Sequence, residues 1–189
     1  IDTTIWDPAT DPHIAAHYDA SALAGKQRCR EALLERFGLE AEAEDPLFGV
    51  VSRFAWQKGL AVLADIVPAL VRLGVRLIVL GSGDPDLAVR FQELAVRFPD
   101  NVAVYVGFEP PLSHMVEAGA DAFLMPSRYE PCGLNQMYSM RYGTLPIVHA
   151  VGGLADTVVD VGTGTPVADA TGFSFDELTP AGLLLACRR

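Results

Sequence analysis

The sequence predicts an α/β fold built on a doubly wound, parallel sheet, and three observations point to it. Five short, mainly apolar runs, at 47–51, 75–80, 102–106, 122–125 and 145–149, have the length of strands covered on both faces. The stretches between them place apolar residues at helical spacing, so strands and helices alternate along the chain. Glycine or proline marks many of the junctions, as at Gly38, Pro46, Gly81-Ser-Gly83, Pro99 and Gly143.

Residues 1–24, rich in Asp, Pro, Ala and Thr, read as a connection laid across a surface. A helix is predicted over 26–37, with Leu33, Leu34 and Phe37 on one face and Gly38 as its stop; the acidic stretch 40–45, closed by Pro46, reads as a linker. After the first strand, Leu60, Leu63, Val67, Leu70 and Val71 line one face of a helix in which Pro68 predicts a kink or break near Ala64. The second strand runs into the Gly81-Ser-Gly83 turn and a helix through Leu87, Phe91 and Leu94. The third strand is followed by a short helix over 112–117, then by the fourth strand. A further helix begins after Gly133, with Leu134, Met137, Tyr138, Met140 and Arg141 at helical spacing, and stops at Gly143 before the fifth strand. Beyond it, 162–166 reads as a loop, 172–175 as an extended piece and 181–186 as a helix.

At 189 residues the chain suits one domain with an ample core. Half of its residues are hydrophobic, yet no run reaches membrane-spanning length, and no signal or transit segment is recognisable, so the chain looks like a piece of a larger protein. Fourteen basic residues stand against 24 acidic ones, which disfavours nucleic acid and anionic membrane as partners. The acidic excess is concentrated in residues 1–45, which hold ten acidic and four basic residues. Cys29, Cys132 and Cys187 lie far apart with no metal or CxxC spacing, so they read as free thiols in a reducing compartment.

The densest cluster of chemistry is Pro126-Ser-Arg-Tyr-Glu-Pro-Cys-Gly-Leu134, a turn between the fourth strand and the next helix. A helix beginning near Cys132, Gly133 and Leu134 offers unpaired N–H groups to an anion, and Glu130 stands at the mouth of that turn. Arg53 and Lys58, five apart on the loop after the first strand, are cations in an acidic protein, suited to a bidentate and a point-charge contact with phosphate. Gly152-Gly153 lets backbone approach a ligand closely and opens another helix N-terminus. All of these follow strand ends, where ligands gather in such sheets, so they should converge on one crevice. Cys132 reads as a small packing residue rather than a nucleophile. Asp84-Pro-Asp86 matches a metal-holding Asp-x-Asp pattern, but at a helix start its acids are favoured by the dipole alone. His13 and His17 lack a third ligand nearby, so no metal site is expected.

Glu130-Pro-Cys-Gly-Leu134 with Gln136, Tyr138 and Tyr142-Gly-Thr144 resembles the signature of glycogen and starch synthases, and His149-Ala-Val-Gly-Gly-Leu-Ala-Asp-Thr-Val158 extends the likeness toward the soluble plant-type starch synthases. Ile1-Asp2 with Trp6 and Pro8, Ser52-Arg53 with Gln57-Lys58-Gly59, and Leu80-Gly-Ser-Gly83 add to it, so the resemblance covers nearly the whole chain. It implies the Rossmann-like C-terminal half of a two-domain GT-B glycosyltransferase, with 1–45 as the lead-in and 46–189 as the nucleotide-sugar domain. The implied reaction moves glucose from ADP-glucose, with retention, to the non-reducing end of an α-1,4-glucan, without a metal. The N-terminal domain of the same protein, with its Lys-x-Gly-Gly-Leu loop, would then be a separate partner.

The resemblance makes Arg53 and Lys58 donor-diphosphate ligands, and Glu130 the residue that holds the sugar or assists charge development. Phe108 would stack on the adenine. Gly81, Cys132, Gly133, Leu134, Gly152, Gly153 and Thr157 would complete the donor site. The implied compartment is the plastid stroma, or alternatively the bacterial cytoplasm. Two other readings remain. Transferases that decorate other molecules with sugar carry a second Glu eight residues after the first, where this chain has Tyr138. A glucan-binding module would keep the fold without catalysis.

Overall fold

The computed structural model describes residues 1–162 and 164–189; Thr163, in the loop expected over 162–166, lies outside the described residues. The five expected strands are present as β1 (Leu47–Phe54), β2 (Arg76–Gly83), β3 (Val102–Val106), β4 (Ala122–Met125) and β5 (Leu145–His149), joined by β6 (Phe173–Phe175). They form one sheet in the order β3-β2-β1-β4-β5-β6, every pair parallel. The chain winds outward from β1 in one direction and from β4 in the other. The order therefore reverses between those two central strands, and that switch point opens a crevice at their carboxyl ends.

Among the described residues seven α-helices connect and cover the sheet: α1 (Ala24–Phe37), α2 (Leu60–Arg72), α3 (Pro85–Arg97), α4 (Pro110–Gly119), α5 (Asn135–Arg141), α6 (Gly152–Thr157) and α7 (Pro180–Cys187). Because successive strand side chains point to opposite faces, the core divides in two. Phe48 and Val50 of β1 with Leu77 and Val79 of β2 meet α2, α3 and α7 through Leu63, Phe91 and Leu183. Leu47 of β1 and Ile78 of β2 face the other side with Leu33, Leu34, Val116 and Leu154 from α1, α4 and α6. Both faces being covered explains why the strands read as continuous apolar runs.

One expectation is corrected and another extended. Of the kink or break expected near Ala64, the break does not occur: α2 runs unbroken through Pro68. The missing N–H and ring clash cost about 3 kcal/mol. Leu60, Leu63, Ile66, Val67 and Leu70 are all nearly fully buried on that helix, each worth about 1.5–3 kcal/mol, so burial outweighs the proline. Residues 1–24 do cross the surface, but they are also anchored in it. Asp11 is 1% exposed and its Oδ2 accepts from Tyr142 Oη at 2.5 Å and lies 2.7 Å from His114 Nδ1. Trp6 is sandwiched between the rings of His114 and Tyr138, with centroids 3.9 and 3.8 Å away and planes within 9°. Tyr18 donates its hydroxyl to the Tyr142 carbonyl at 2.9 Å. The lead-in is thereby fastened to α4 and α5, the helices that precede and follow β4 in the chain.

Candidate functional site

A cleft of about 550 Å³ opens at the carboxyl ends of the strands; Val51, Arg53, Lys58, Gly81, Phe108 and Glu130 line it together with Gly133, Leu134 and Asn135. Arg53 is the penultimate residue of β1, and its guanidinium reaches Gln57 Oε1 at 3.3 Å. A single 3₁₀ turn over Trp56–Lys58 follows and brings Lys58 back over the strand end. Gly59 closes that turn at φ 64°, where a Cβ would lie 1.8 Å from the Pro126 carbonyl oxygen, so only glycine lets the β1 and β4 loops meet this closely.

That meeting builds the central contact. Lys58 Nζ donates to Glu130 Oε2 at 2.5 Å, and Ser127 Oγ donates to the same oxygen at 3.1 Å. Glu130 is 8% exposed, and among the described residues no hydrogen bond goes to its Oε1. The carboxylate is gripped at one oxygen and can meet a ligand with the other. Lys58 and Glu130 neutralise each other here, so Arg53 adds net positive charge to a site in an otherwise acidic chain.

The loop carrying Glu130 has no regular structure, yet its polar backbone groups are tied in turn. Ser127 O faces His149 Nδ1 at 2.7 Å, and Arg128 N donates to Gln57 O at 2.8 Å. Tyr129 O accepts from Gln57 Nε2 at 3.1 Å, and Glu130 O from Gly153 N at 2.9 Å. Such pairing satisfies groups that a buried loop would otherwise leave orphaned, and it holds the acid in one orientation.

The remaining expected residues divide into two sets. Phe108, 75% exposed after β3, stands at the cleft, as do Gly81, Gly133 and half-exposed Leu134. Gly152, Gly153, Cys132 and Thr157 do not line the cleft but stand behind the Glu130 turn. A Cβ on Gly152 would lie 2.2 Å from Glu130 O, and one on Gly153 would lie 1.9 Å from Cys132 O. In this structure the glycine pair lets α6 press against the turn, rather than opening backbone toward the cleft. Thr157 Oγ1 donates to Gly153 O at 2.5 Å and accepts from Gln136 Nε2 at 3.1 Å, and Gln136 also holds Cys132 O and Gly133 O. Cys132 is an exposed free thiol. Asp84 caps α3 by accepting from the amides of Asp86 and Leu87. Among the described residues no group of three or more His, Cys, Asp or Glu is placed to share a metal ion.

Sequence reasoning missed Asn135, whose Nδ2 donates to Val51 O at 2.9 Å and ties the start of α5 to β1. It also missed Ser127, Gln57 and Glu117. The first two lie inside quoted motifs, but only their distant partners disclose their work. Glu117 on α4 is fully buried, and burial pushes its carboxyl up to about 8. Its Oε2 is 2.8 Å from Ser139 Oγ, which also lies 2.9 Å from Asn135 O. A protonated Glu117 can donate to that hydroxyl, leaving the hydroxyl hydrogen for Asn135 O, so all three groups are satisfied.

Fold and site together define a doubly wound α/β domain with a ligand cleft at its switch point, where cations and a held carboxylate face one space. Residues 33–174 match the family described as glycosyl transferases group 1, and the chain belongs to that family. It is 52% identical over 189 residues to a glycogen synthase of Anaeromyxobacter dehalogenans and 54% identical over 187 residues to one of Dechloromonas aromatica. The catalytic domain of starch synthase IV from Arabidopsis thaliana, solved with ADP and acarbose, superposes over the whole chain with a TM-score of 0.94 at 36% identity. The likeness to glycogen and starch synthases and the Rossmann-like GT-B fold are as the sequence led us to expect. The chain spans 38–39% of the length of these relatives.

Proposed function

We propose that this chain is the nucleotide-sugar lobe of an α-1,4-glucan synthase that takes glucose from ADP-glucose, with retention, to the non-reducing end of a growing glucan. The observation that carries the reading is the grip on Glu130 by Lys58 and Ser127 beside Arg53 in the switch-point cleft. When the bond from the sugar's C1 to the diphosphate oxygen breaks, the electron pair stays on the diphosphate, and Arg53 and Lys58 meet that charge. Glu130 presents Oε1 to the sugar as positive charge develops at C1. Phe108 offers an exposed ring for the base. The acceptor's binding site and the second wall of the cleft come from the rest of the protein, and catalysis requires the two lobes to close over the donor.

A donor of the sugar-decorating type is disfavoured by Tyr138, which is stacked on Trp6 and so occupied in packing. The relatives that are about half identical are bacterial, which favours a bacterial cytoplasmic setting over the plastid.

The test is calorimetric and kinetic. ADP should bind the full-length protein without added divalent cation and more tightly than UDP. Arg53→Ala should lower turnover by about a hundredfold while glucan affinity stays within twofold. Equal loss of glucan affinity and turnover, or preference for UDP, contradicts the proposal.

A further inference from the structure

His149 ends β5, is 9% exposed, and lies tilted against Phe175 with ring centroids 5.4 Å apart. Its two nitrogens face two backbone carbonyl oxygens, Ser127 O at 2.7 Å from Nδ1 and Asp176 O at 3.2 Å from Nε2. A carbonyl oxygen only accepts, so each nitrogen that bonds must carry a hydrogen. A neutral ring has one, which on Nδ1 serves the shorter of the two contacts.

Ser127 sits three residues before Glu130 and is 1% exposed. Its hydroxyl reaches the same Glu130 oxygen that Lys58 grips. The loop's other ties hold Arg128, Tyr129 and Glu130 through their backbone atoms. The Ser127 tie differs from those at Arg128 and Tyr129, because the peptide that His149 fixes bears a side chain touching the acid itself. A connected path therefore runs from β5 through His149 and Ser127 to Glu130.

We infer that His149 is a positioning residue for glucosyl transfer: its Nδ1–H fixes the Ser127 peptide, so that the Ser127 hydroxyl holds Glu130 with its second oxygen toward the sugar. The inference rests on the role proposed for Glu130 in transfer. In the sequence His149 opens a motif without a visible role, since Ser127 is 22 residues away.

Amide side chains separate the two ring contacts. Asn places its N–H₂ near the position of Nδ1, and Gln places it near that of Nε2. In the full-length protein, His149→Asn should keep kcat within about threefold, while His149→Gln and Ser127→Ala should each lower it about tenfold with the donor KM within twofold. Because the two residues act in series, Ser127→Ala combined with His149→Gln should be no worse than either alone. Nitrogen-15 spectra of the unsubstituted protein should show the ring hydrogen on Nδ1.

A purely structural His149 would give equal losses for Asn and Gln that follow the fall in Tm, and a multiplicative double variant of about a hundredfold. Either result, or a ring hydrogen on Nε2 alone, overturns the inference. Glu130→Gln is the separate control: if it leaves kcat unchanged, it is the proposed role of Glu130 that fails.

Discussion

Removing Lys58 should destabilise the folded chain through Glu130, and the size of the effect can be worked from the contact. The ammonium lies 2.5 Å from Oε2, with the two side chains 19% and 9% exposed. Truncating one partner of a buried ion pair costs about 3–5 kcal/mol, because the other charge is left behind. Partial exposure of Lys58 and the surviving Ser127 bond reduce this to roughly 2–3 kcal/mol for Lys58→Met. Glu130→Gln, which strands the ammonium in the more open position, should cost about 1–2 kcal/mol. The double variant strands neither, so a coupling energy of about 1.5–2.5 kcal/mol is expected. Urea unfolding of the four proteins, followed by tryptophan fluorescence and far-ultraviolet circular dichroism, completes the cycle. Single-variant costs below about 0.5 kcal/mol that simply add would refute the reasoning, showing that water screens the pair as at a surface.

Two further outcomes follow from the packing behind the cleft. Gly153→Ala drives a Cβ into the Cys132 carbonyl at 1.9 Å, so it should lower stability by about 2–4 kcal/mol and weaken ADP binding; unchanged denaturation and binding would mean that the turn does not lean on α6. Burial raises the Glu117 carboxyl from 4.5 to about 8, so its contribution is full below pH 4.5 and is lost as pH rises toward 8, since only the unfolded chain gives up the proton in that window. Lys26, pulled down to about 8 by burial, stays charged in both states below that pH. Stability should therefore fall by up to roughly 4 kcal/mol across the window, and Glu117→Gln should flatten the decline between pH 5 and 7.5; an unchanged slope would place the titration elsewhere.

The sequence alone determined the fold class and singled out the candidate turn after β4. Strand and helix periodicity is local: 47–51 and 75–80 are apolar because helices cover both faces of β1 and β2, and the pattern survives in the chain whatever packs on it. The turn at Glu130-Pro-Cys-Gly-Leu134 was legible for the same reason, since strand, turn and helix are contiguous. Helix α2 shows the limit of local reasoning, because the bond lost at Pro68 is local whereas the burial that overrides it is tertiary.

What joins the site lies far apart in sequence and only the tertiary structure decided it. Lys58 and Glu130 are 72 residues apart, and Asp11 lies 103 residues from His114 and 131 from Tyr142. Gly152 and Gly153 looked from the sequence like backbone opened to a ligand; in the fold their missing Cβ atoms make room for the carbonyls of Glu130 and Cys132. A glycine declares that something comes close without saying what, and a buried acid such as Asp11 or Glu117 looks like a surface acid until its surroundings exist. Charge, pairing and burial depend on what the folded chain brings within a few ångströms, and residue type and spacing along the chain do not encode that distance.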